Sequence, residues 1–125
     1  MSSPSATQDM YPYQNQPNWS NSEKAIARRV FDAALKRELQ DVMRETKQKA
    51  NQIKEPADVW ELERYLTQRR KDIDRKYEFR SSQLLRVFGT LLHEGRISEE
   101  ELCGLGEDKM KAVRSTAKFL SQNVA

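Results

Sequence analysis

The chain has few side chains that could catalyse a reaction or hold a metal, and their spacing suits neither role. It contains one histidine, His93, and one cysteine, Cys103. A metal site needs several such ligands at fitting intervals, so this pair predicts neither a metal nor any other cofactor. His93 lies beside a predicted helix end, where a cation is favourable. Cys103 lies between Leu102 and Leu105, so we expect it to be a small core residue.

Carboxylates and glycines also lack a catalytic pattern. Glu61 and Glu63, and the run from Glu99 to Glu101, lie beside basic residues on apparent solvent faces of helices. The four glycines form no phosphate-binding loop. We therefore predict that the chain is not an enzyme and that it works by binding another protein.

Trp60 is the residue whose type and position best suit protein binding. The apolar stripe of its helix places Trp60 at the edge, with Arg64 one turn later and Lys71 beyond. Arg70 projects from a neighbouring row, which it shares with Glu63. Trp and Arg dominate the energetics of protein interfaces. The alternative is that Trp60 packs on the first helix or across a dimer, and periodicity leaves both interpretations open.

The composition favours long helices over a sheet or a thick core. Of 125 residues, 37% are apolar and 33% charged, with only four Gly and four Pro. The 22 Lys and Arg and the 19 Asp and Glu alternate along the chain, which is typical of a solvated helix surface and not of a nucleic-acid footprint. We predict an all-α protein with a disordered tail over residues 1–18 and one helical domain over residues 19–122.

The sequence also predicts a cellular compartment. No apolar run approaches the roughly 20 residues needed to cross a bilayer. The single cysteine excludes an internal disulfide and fits a reducing compartment. Residues 1–17 lack the apolar segment that marks a secretory signal. We expect a cytoplasmic protein with no integral membrane association.

The first two predicted helices form a long hairpin stalk. Ser20 and Glu23 have the spacing of a capping box, and no Gly or Pro interrupts the chain from there to Lys54. Pro56 suits the first turn of a second helix, which continues to a looser stretch around residues 80–82. The apolar stripe of this second helix comprises Val59, Leu62, Leu66, Ile73 and Tyr77.

The remaining sequence predicts a small helical head. Its densest apolar cluster comprises Leu84, Leu85, Val87, Phe88, Leu91 and Leu92. Gly95 suits a left-handed helix cap, and Ser98 with Glu101 forms a second capping box before a short helix. Trp19, just before the first helix, is interpreted as a hydrophobic staple. A last amphipathic helix carries Met110, Val113, Ala117 and Leu120.

The apolar stripe of the first helix predicts a dimer. It is long and narrow, which is typical of a seam against other helices. The second helix supplies one partner, and the remaining flank argues for another chain, most simply a twofold copy. That flank comprises Val30, Ala34, Met43 and Ala50. We predict that Leu39, Val42 and Met43 lie in the dimer seam.

From Trp19 to about Phe119 the chain resembles the cyanobacterial fluorescence recovery protein family. The spacing of Trp60, Arg70, Tyr77 and Arg80 is idiosyncratic, and the match has almost no gap. The other matching landmarks are Trp19-Ser20, Arg37-Glu38-Leu39, Gln52-Ile53, Leu62, Leu66, Ile73-Asp74, Lys76, Val87-Phe88, Leu91-Leu92, Glu94-Gly95, Glu100-Glu101-Leu102 and Asp108-Lys109.

The resemblance implies an antiparallel, all-helical homodimer with a long stalk and small heads. It also implies binding to the C-terminal domain of the orange carotenoid protein, acceleration of that protein's red-to-orange relaxation, and an end to photoprotective quenching. Association with phycobilisomes or the thylakoid surface would then be expected. The exposed Trp and the Arg of the family fall on Trp60 and Arg70.

Three positions depart from the family pattern. Arg64 replaces an Asp, Arg86 replaces a Phe of the head, and Ala112 replaces a Lys of the last helix. We predict a partner-binding set of Trp60, Glu63, Arg64, Arg70 and Arg86. The alternative is a helical dimeric adaptor, or scaffold, for an unrelated protein. Nucleic-acid binding through the basic residues of the last helix is a weaker interpretation, and we predict no nucleic-acid partner. Those basic residues are Lys109, Lys111, Arg114 and Lys118.

Overall fold

The computed structural model describes residues 18–122, which contain four α-helices and no strand. In chain order the elements are α1 (Asn21–Asn51), α2 (Pro56–Lys76), α3 (Leu84–His93), the 3₁₀ turn Glu100–Leu102, and α4 (Glu107–Gln122). Helices α1 and α2 form the stalk, and the later elements form the head. The all-α prediction is confirmed. The predicted disordered tail lies outside the described residues, apart from Asn18.

Hydrogen bonds between side chains and the backbone fix the start of α1 and the connection between α1 and α2. At the start of α1, the backbone N–H of Glu23 donates to Ser20 Oγ at 3.1 Å, and the backbone N–H of Ser20 donates to Glu23 Oε1 at 3.0 Å. This is the predicted capping box. Helix α1 ends at Asn51, three residues before the predicted end, because Asp58 of α2 accepts the backbone N–H groups of Lys54 and Glu55. The connection is therefore a cap for α2 and cannot continue α1.

The head has a core of closely packed aliphatic and aromatic side chains. Helix α3 lies against α4, and a Cβ added at Gly89 would lie only 2.4 Å from Thr116 Cβ, so glycine permits this approach. Gly95 has a φ of 76°, which confirms the predicted left-handed cap. The buried members of the core are Trp19, Ala27, Val30, Phe31, Ala34, Leu84, Val87, Phe88, Leu91, Ile97, Leu102, Leu105, Met110 and Val113.

Two small predictions about the head are wrong. Cys103 is exposed, because Leu102 and Leu105 both turn inward and leave the residues between them at the surface. Trp19 does not act as a staple on the first turn of α1, where the fourth residue is Lys24. Instead Trp19 is buried in the head core, with Lys109 Nζ 5.2 Å from its ring centroid.

The flank of α1 assigned to a second chain is also partly wrong. Val30 and Ala34 are buried by the head of the same chain, so they need no other partner. Met43 and Ala50, further along α1, are exposed. The unpartnered part of the stripe therefore begins only where α1 leaves the head.

Glu23 joins the start of α1 to the start of α4. Its Oε2 accepts the backbone N–H of Gly106 at 2.8 Å, and its Oε1 lies 3.2 Å from Lys109 Nζ. The backbone N–H groups of Ser20 and Gly106, together with Lys109, outweigh the effect of burial and lower the pKa of Glu23 to about 2. The carboxylate thus stays ionised across the range in which most acids of a protein titrate.

We predict that Glu23→Gln destabilises the chain at neutral pH but not in acid. Because the pKa of Glu23 is lowered on folding, its stabilisation is present above the ordinary pKa and is lost as the pH falls towards about 2. The free energy of unfolding should drop by roughly 1–3 kcal/mol at pH 7, with the difference from the parent vanishing near pH 2. Urea titrations at a series of pH values test this. A difference that is constant with pH would contradict the assigned pKa.

Glu38 is the most deeply buried charge, and it connects α1 to α2 and to the head. Its side chain is 1% exposed. The carboxylate accepts hydrogen bonds from Arg69 Nη2 at 3.0 Å, Lys76 Nζ at 2.9 Å and Tyr77 Oη at 2.9 Å. Arg96 adds a positive charge, with its Nε 3.1 Å from Glu38 Oε1 but without hydrogen-bond geometry. One carboxylate thus compensates several cations from distant parts of the chain.

The network around Glu38 keeps its members in fixed protonation states. Burial alone would raise the pKa of Glu38, but the hydrogen bonds from Lys76, Tyr77 and Arg69 outweigh it and hold that pKa below its usual range. Burial and the Glu38 carboxylate raise the pKa of the Tyr77 hydroxyl far above its usual value. Tyr77 therefore remains a hydrogen-bond donor, and Glu38 remains an anion, at any physiological pH.

We predict that Glu38→Gln lowers the free energy of unfolding by about 3–5 kcal/mol. Among the described residues Arg69 would lose its one carboxylate partner, and Lys76 and Arg96 would keep only the more exposed Glu94 and Asp41. Glu99→Gln is the matched control, since Glu99 pairs with Arg114 on the surface and its loss should cost no more than about 1 kcal/mol. Urea denaturation at one fixed chain concentration measures both. Equal losses in the two variants would show that the Glu38 network does not hold the stalk to the head.

Candidate protein-binding site

Trp60 lies on the outer face of α2, away from α1. Its side chain is 62% exposed, so the alternative that it packs on the first helix of its own chain is wrong. Arg64 lies one turn further along and is also exposed. By helix periodicity the two residues differ by about 40° around the axis, so they share one row.

The position of Trp60 is fixed by the opposite face of α2. There Tyr65 Oη donates to Glu45 of α1, and Lys49 Nζ lies 4.9 Å from the centroid of the Tyr65 ring. Burial and the neighbouring Glu45 carboxylate raise the pKa of Tyr65, which preserves the donor. Four residues later Arg69 bonds Glu38. These polar contacts along one face of α2 direct the Trp60 row outward.

Of the other predicted site residues, Arg64 shares the row of Trp60, Glu63 and Arg70 lie beside that row, and Arg86 lies on another helix. Glu63 is exposed and accepts a hydrogen bond from Thr67 Oγ1 at 2.9 Å. Arg70 lies about 80° around the helix from Trp60 and lines an apolar groove between α1 and α2. Arg86 lies on α3, where it lines a cleft together with Arg75 of α2. Arg75 is itself fifteen residues after Trp60. The five residues do not form one compact patch.

The apolar groove contains two of the three predicted seam residues. It has a volume of about 470 Å³ and is lined by Leu35, Leu39, Val42, Leu66, Arg69, Arg70, Ile73 and Asp74. Leu39 is 44% exposed, and Met43, on the other side of Leu39, is 57% exposed. Met43 lines a shallower depression with Leu35 and Leu39. Within residues 18–122 no element covers this surface, which is more apolar than a solvated helix face needs to be.

The sequence patterns failed to predict two features of the site. Val59 and Leu66 were assigned to a buried stripe, yet both are exposed, and of that stripe Ile73 alone is fully buried. Arg75 was not singled out, although it follows Trp60, Arg64 and Lys71 at helical spacing. Extending the four- and seven-residue spacing beyond Lys71 would have predicted that Arg75 belongs to the same face.

Other kinds of site receive no support from the described part of the chain. Residues 18–122 contain no group of three or more His, Cys, Asp or Glu side chains that could hold a metal ion. None of the described helices is long and apolar enough to span a bilayer. His93 is in the last turn of α3, as predicted.

Known proteins resemble this chain in sequence and in fold. The family described as "Photoprotection regulator fluorescence recovery protein" matches residues 19–117. The fluorescence recovery protein of Synechocystis sp. PCC 6803 is 36% identical over 101 residues, which are 81% of this chain and 93% of that protein.

Solved structures agree with this match. The fluorescence recovery protein of Fremyella diplosiphon is 35% identical with a TM-score of 0.77. That of Synechocystis is 36% identical with a TM-score of 0.78. Each comparison covers 81% of this chain and 99% of the solved chain. A fold shared over this length, together with the family match, establishes descent. The chain therefore belongs to the fluorescence recovery protein family of photoprotection regulators.

Proposed function

We propose that the chain is a non-enzymatic regulator that binds the C-terminal domain of the orange carotenoid protein, or of a homologue, and accelerates its red-to-orange relaxation. Membership in a family of photoprotection regulators supports this proposal. The observation that carries it is Trp60, a large aromatic side chain that is 62% exposed on α2. Such a protein would act in the cytoplasm, at phycobilisomes or the thylakoid surface.

Regulation of this kind requires binding energy but no bond making or breaking. A regulator that binds the transition state between two conformers of its partner better than it binds either conformer lowers the barrier between them. Each tenfold acceleration needs about 1.4 kcal/mol of such preferential binding. A few well-packed contacts around Trp60 can supply that amount.

A homodimer is part of this proposal. The groove of α1 and α2, with Met43 beside it, offers apolar area that a twofold copy of the same surface would cover. In an antiparallel pair, the exposed half of each α1 would meet its own counterpart. The Trp60 row would stay free, because it lies about 80° or more around α2 from the groove residues Leu66, Arg70 and Ile73.

A second candidate function is a dimeric adaptor for an unrelated protein. Arg64 favours it, because the Trp60 row then carries a cation where the resemblance implies an acid. A surface altered in charge suits an altered partner. The two candidates differ in one measurable respect, which is activity towards a photoactivated carotenoid protein.

We predict that Met43→Glu converts the dimer to a monomer at about micromolar concentration. A carboxylate buried without a partner in two symmetric copies costs several kcal/mol. Gln48→Glu is the matched control, since Gln48 is exposed on another face of α1. Light scattering measures the mass of each variant. A dimer unchanged in Met43→Glu would remove Met43 from the seam.

We predict that the chain accelerates the red-to-orange relaxation of a photoconverted carotenoid protein, but less strongly than family members with an acid in place of Arg64. One interface charge facing the wrong sign can cost about 2–5 kcal/mol, which moves micromolar binding towards millimolar. Trp60→Leu should abolish the acceleration, and Arg64→Asp should increase it. Absorbance recorded in the dark after illumination follows the relaxation. No acceleration by the parent or by Arg64→Asp, with the dimer intact, would leave the adaptor function.

A further inference from the structure

A row of basic side chains extends from Trp60 along the exposed face of α2. Arg64, Lys71 and Arg75 follow Trp60 within about 60° around the helix axis, and all three are exposed. From Trp60 to Arg75 the row spans about 22 Å at 1.5 Å per residue. We call these four residues the Trp60 basic row.

The cations of this row are mostly uncompensated. Within residues 18–122, no carboxylate oxygen lies within 4 Å of the charged nitrogens of Arg64 or Lys71, and Arg75 has only Asp72, at 3.8 Å. Four arginines elsewhere differ, since Arg37, Arg69, Arg96 and Arg114 each form an ion pair of 3.0 Å or less. Other exposed cations, such as Arg70 and Lys111, resemble the row in this respect, so its distinguishing feature is the alignment with Trp60. Arg64 and Lys71 are therefore available to pair with carboxylates of a partner.

The end of the Trp60 basic row lies next to a basic residue of the head. Arg75 lines a cleft of about 360 Å³ between α2 and α3, together with Arg86 and Thr90. Arg86 Nε donates to Gln83 at 2.9 Å, and Arg86 Nη2 lies 3.7 Å from Glu78, which leaves the terminal nitrogens of Arg86 free to form a closer pair. Arg69 and Lys76 also line this cleft, but both already bond Glu38. Two carboxylates complete the lining: Asp72, 3.8 Å from Arg75, and Glu94, which pairs with Lys76. Arg75 and Arg86 are thus the cations left for a ligand in the cleft.

Carboxylates border the row on both sides. By helix periodicity Glu63 and Asp74 lie on one side of it, and Glu61 and Asp72 lie on the other. A nucleic-acid backbone, with phosphates on both strands or along a flexible chain, would meet these acids and be repelled. A single helix with carboxylates on one face, at the spacing of the row, can place them opposite the cations and turn its other residues towards the flanking acids.

We infer that the Trp60 basic row binds an acidic helical segment of a partner protein. Carboxylates on one face of that helix would pair with Arg64, Lys71 and Arg75, Trp60 would insert into an apolar position at one end, and Arg86 would receive a carboxylate at the other end. The inference rests on the proposed function in one respect, which is that Trp60 contacts the partner. It adds the charge and the shape of the surface that Trp60 meets.

The test uses a fluorescein-labelled amphipathic helical peptide, whose glutamates repeat the four- and seven-residue spacing of the row, and fluorescence anisotropy with the full chain. Replacing Arg64, Lys71 and Arg75 together by Glu should weaken binding at least about tenfold, and replacing them by Gln should weaken it less. The control changes Lys24, Lys111 and Lys118 to Glu, which alters net charge equally at exposed positions elsewhere. Circular dichroism and light scattering verify that every variant is folded and dimeric.

A clear set of results would overturn the inference. Equal weakening by the row variant and the control would reduce the effect to net charge, and absence of peptide binding by the parent would exclude the acidic segment. Tighter binding of a single-stranded oligonucleotide of the same charge would assign the row to nucleic acid. These outcomes do not depend on the relaxation of a carotenoid protein. If the chain bound the peptide but did not accelerate that relaxation, the result would count against the proposed function alone.

Discussion

The structure depends on one buried carboxylate. Glu38 accepts hydrogen bonds from Arg69, Lys76 and Tyr77, which come from the second half of α2 and the residue after it. Without Glu38, Arg69 would have no carboxylate partner among the described residues, and Lys76 would keep only the more exposed Glu94. With Glu38, the stalk has a polar seam on one side and an open apolar groove on the other. The contacts that stabilise the folded chain and the apolar surface that remains exposed therefore lie on different faces.

This division explains how a small chain can present so much exposed apolar and aromatic surface and remain folded. The head provides a conventional core, where Phe88, Leu91, Leu102 and Val113 are completely enclosed. The first half of α1 contributes Val30, Phe31 and Ala34 to that core, and the Glu38 network joins α2 to it by charge and by hydrogen bonds. The apolar residues further along the stalk, such as Leu39, Met43 and Leu66, are not consumed in folding. They are available to a second copy of the chain, and Trp60 is available to a partner.

Much of the fold, but only part of the site, could be predicted from the sequence. The capping box at Ser20 and the cap at Gly95 depend on residues a few positions apart, so local spacing was enough. Burial of Glu38 depends on partners 31 to 39 residues away, and its sequence context reads as a solvated helix face. Periodicity placed Trp60 at the edge of its apolar stripe but could not decide whether it packs on α1, and the structure shows it exposed. The separation of Arg86 from Trp60 could not be predicted, because it depends on how the head docks on α2.

The central claim is that Trp60 is the contact point with a partner of the carotenoid-protein kind. Trp19→Phe would leave Trp60 as the one tryptophan of the chain, since the sequence has two. Its fluorescence should be strongly quenched by iodide in the free protein, because the side chain is 62% exposed. Adding a saturating amount of the C-terminal domain of an orange carotenoid protein, prepared without carotenoid, should protect Trp60 from iodide and lower the quenching constant several-fold. An unchanged quenching constant, with complex formation verified by light scattering, would contradict the account.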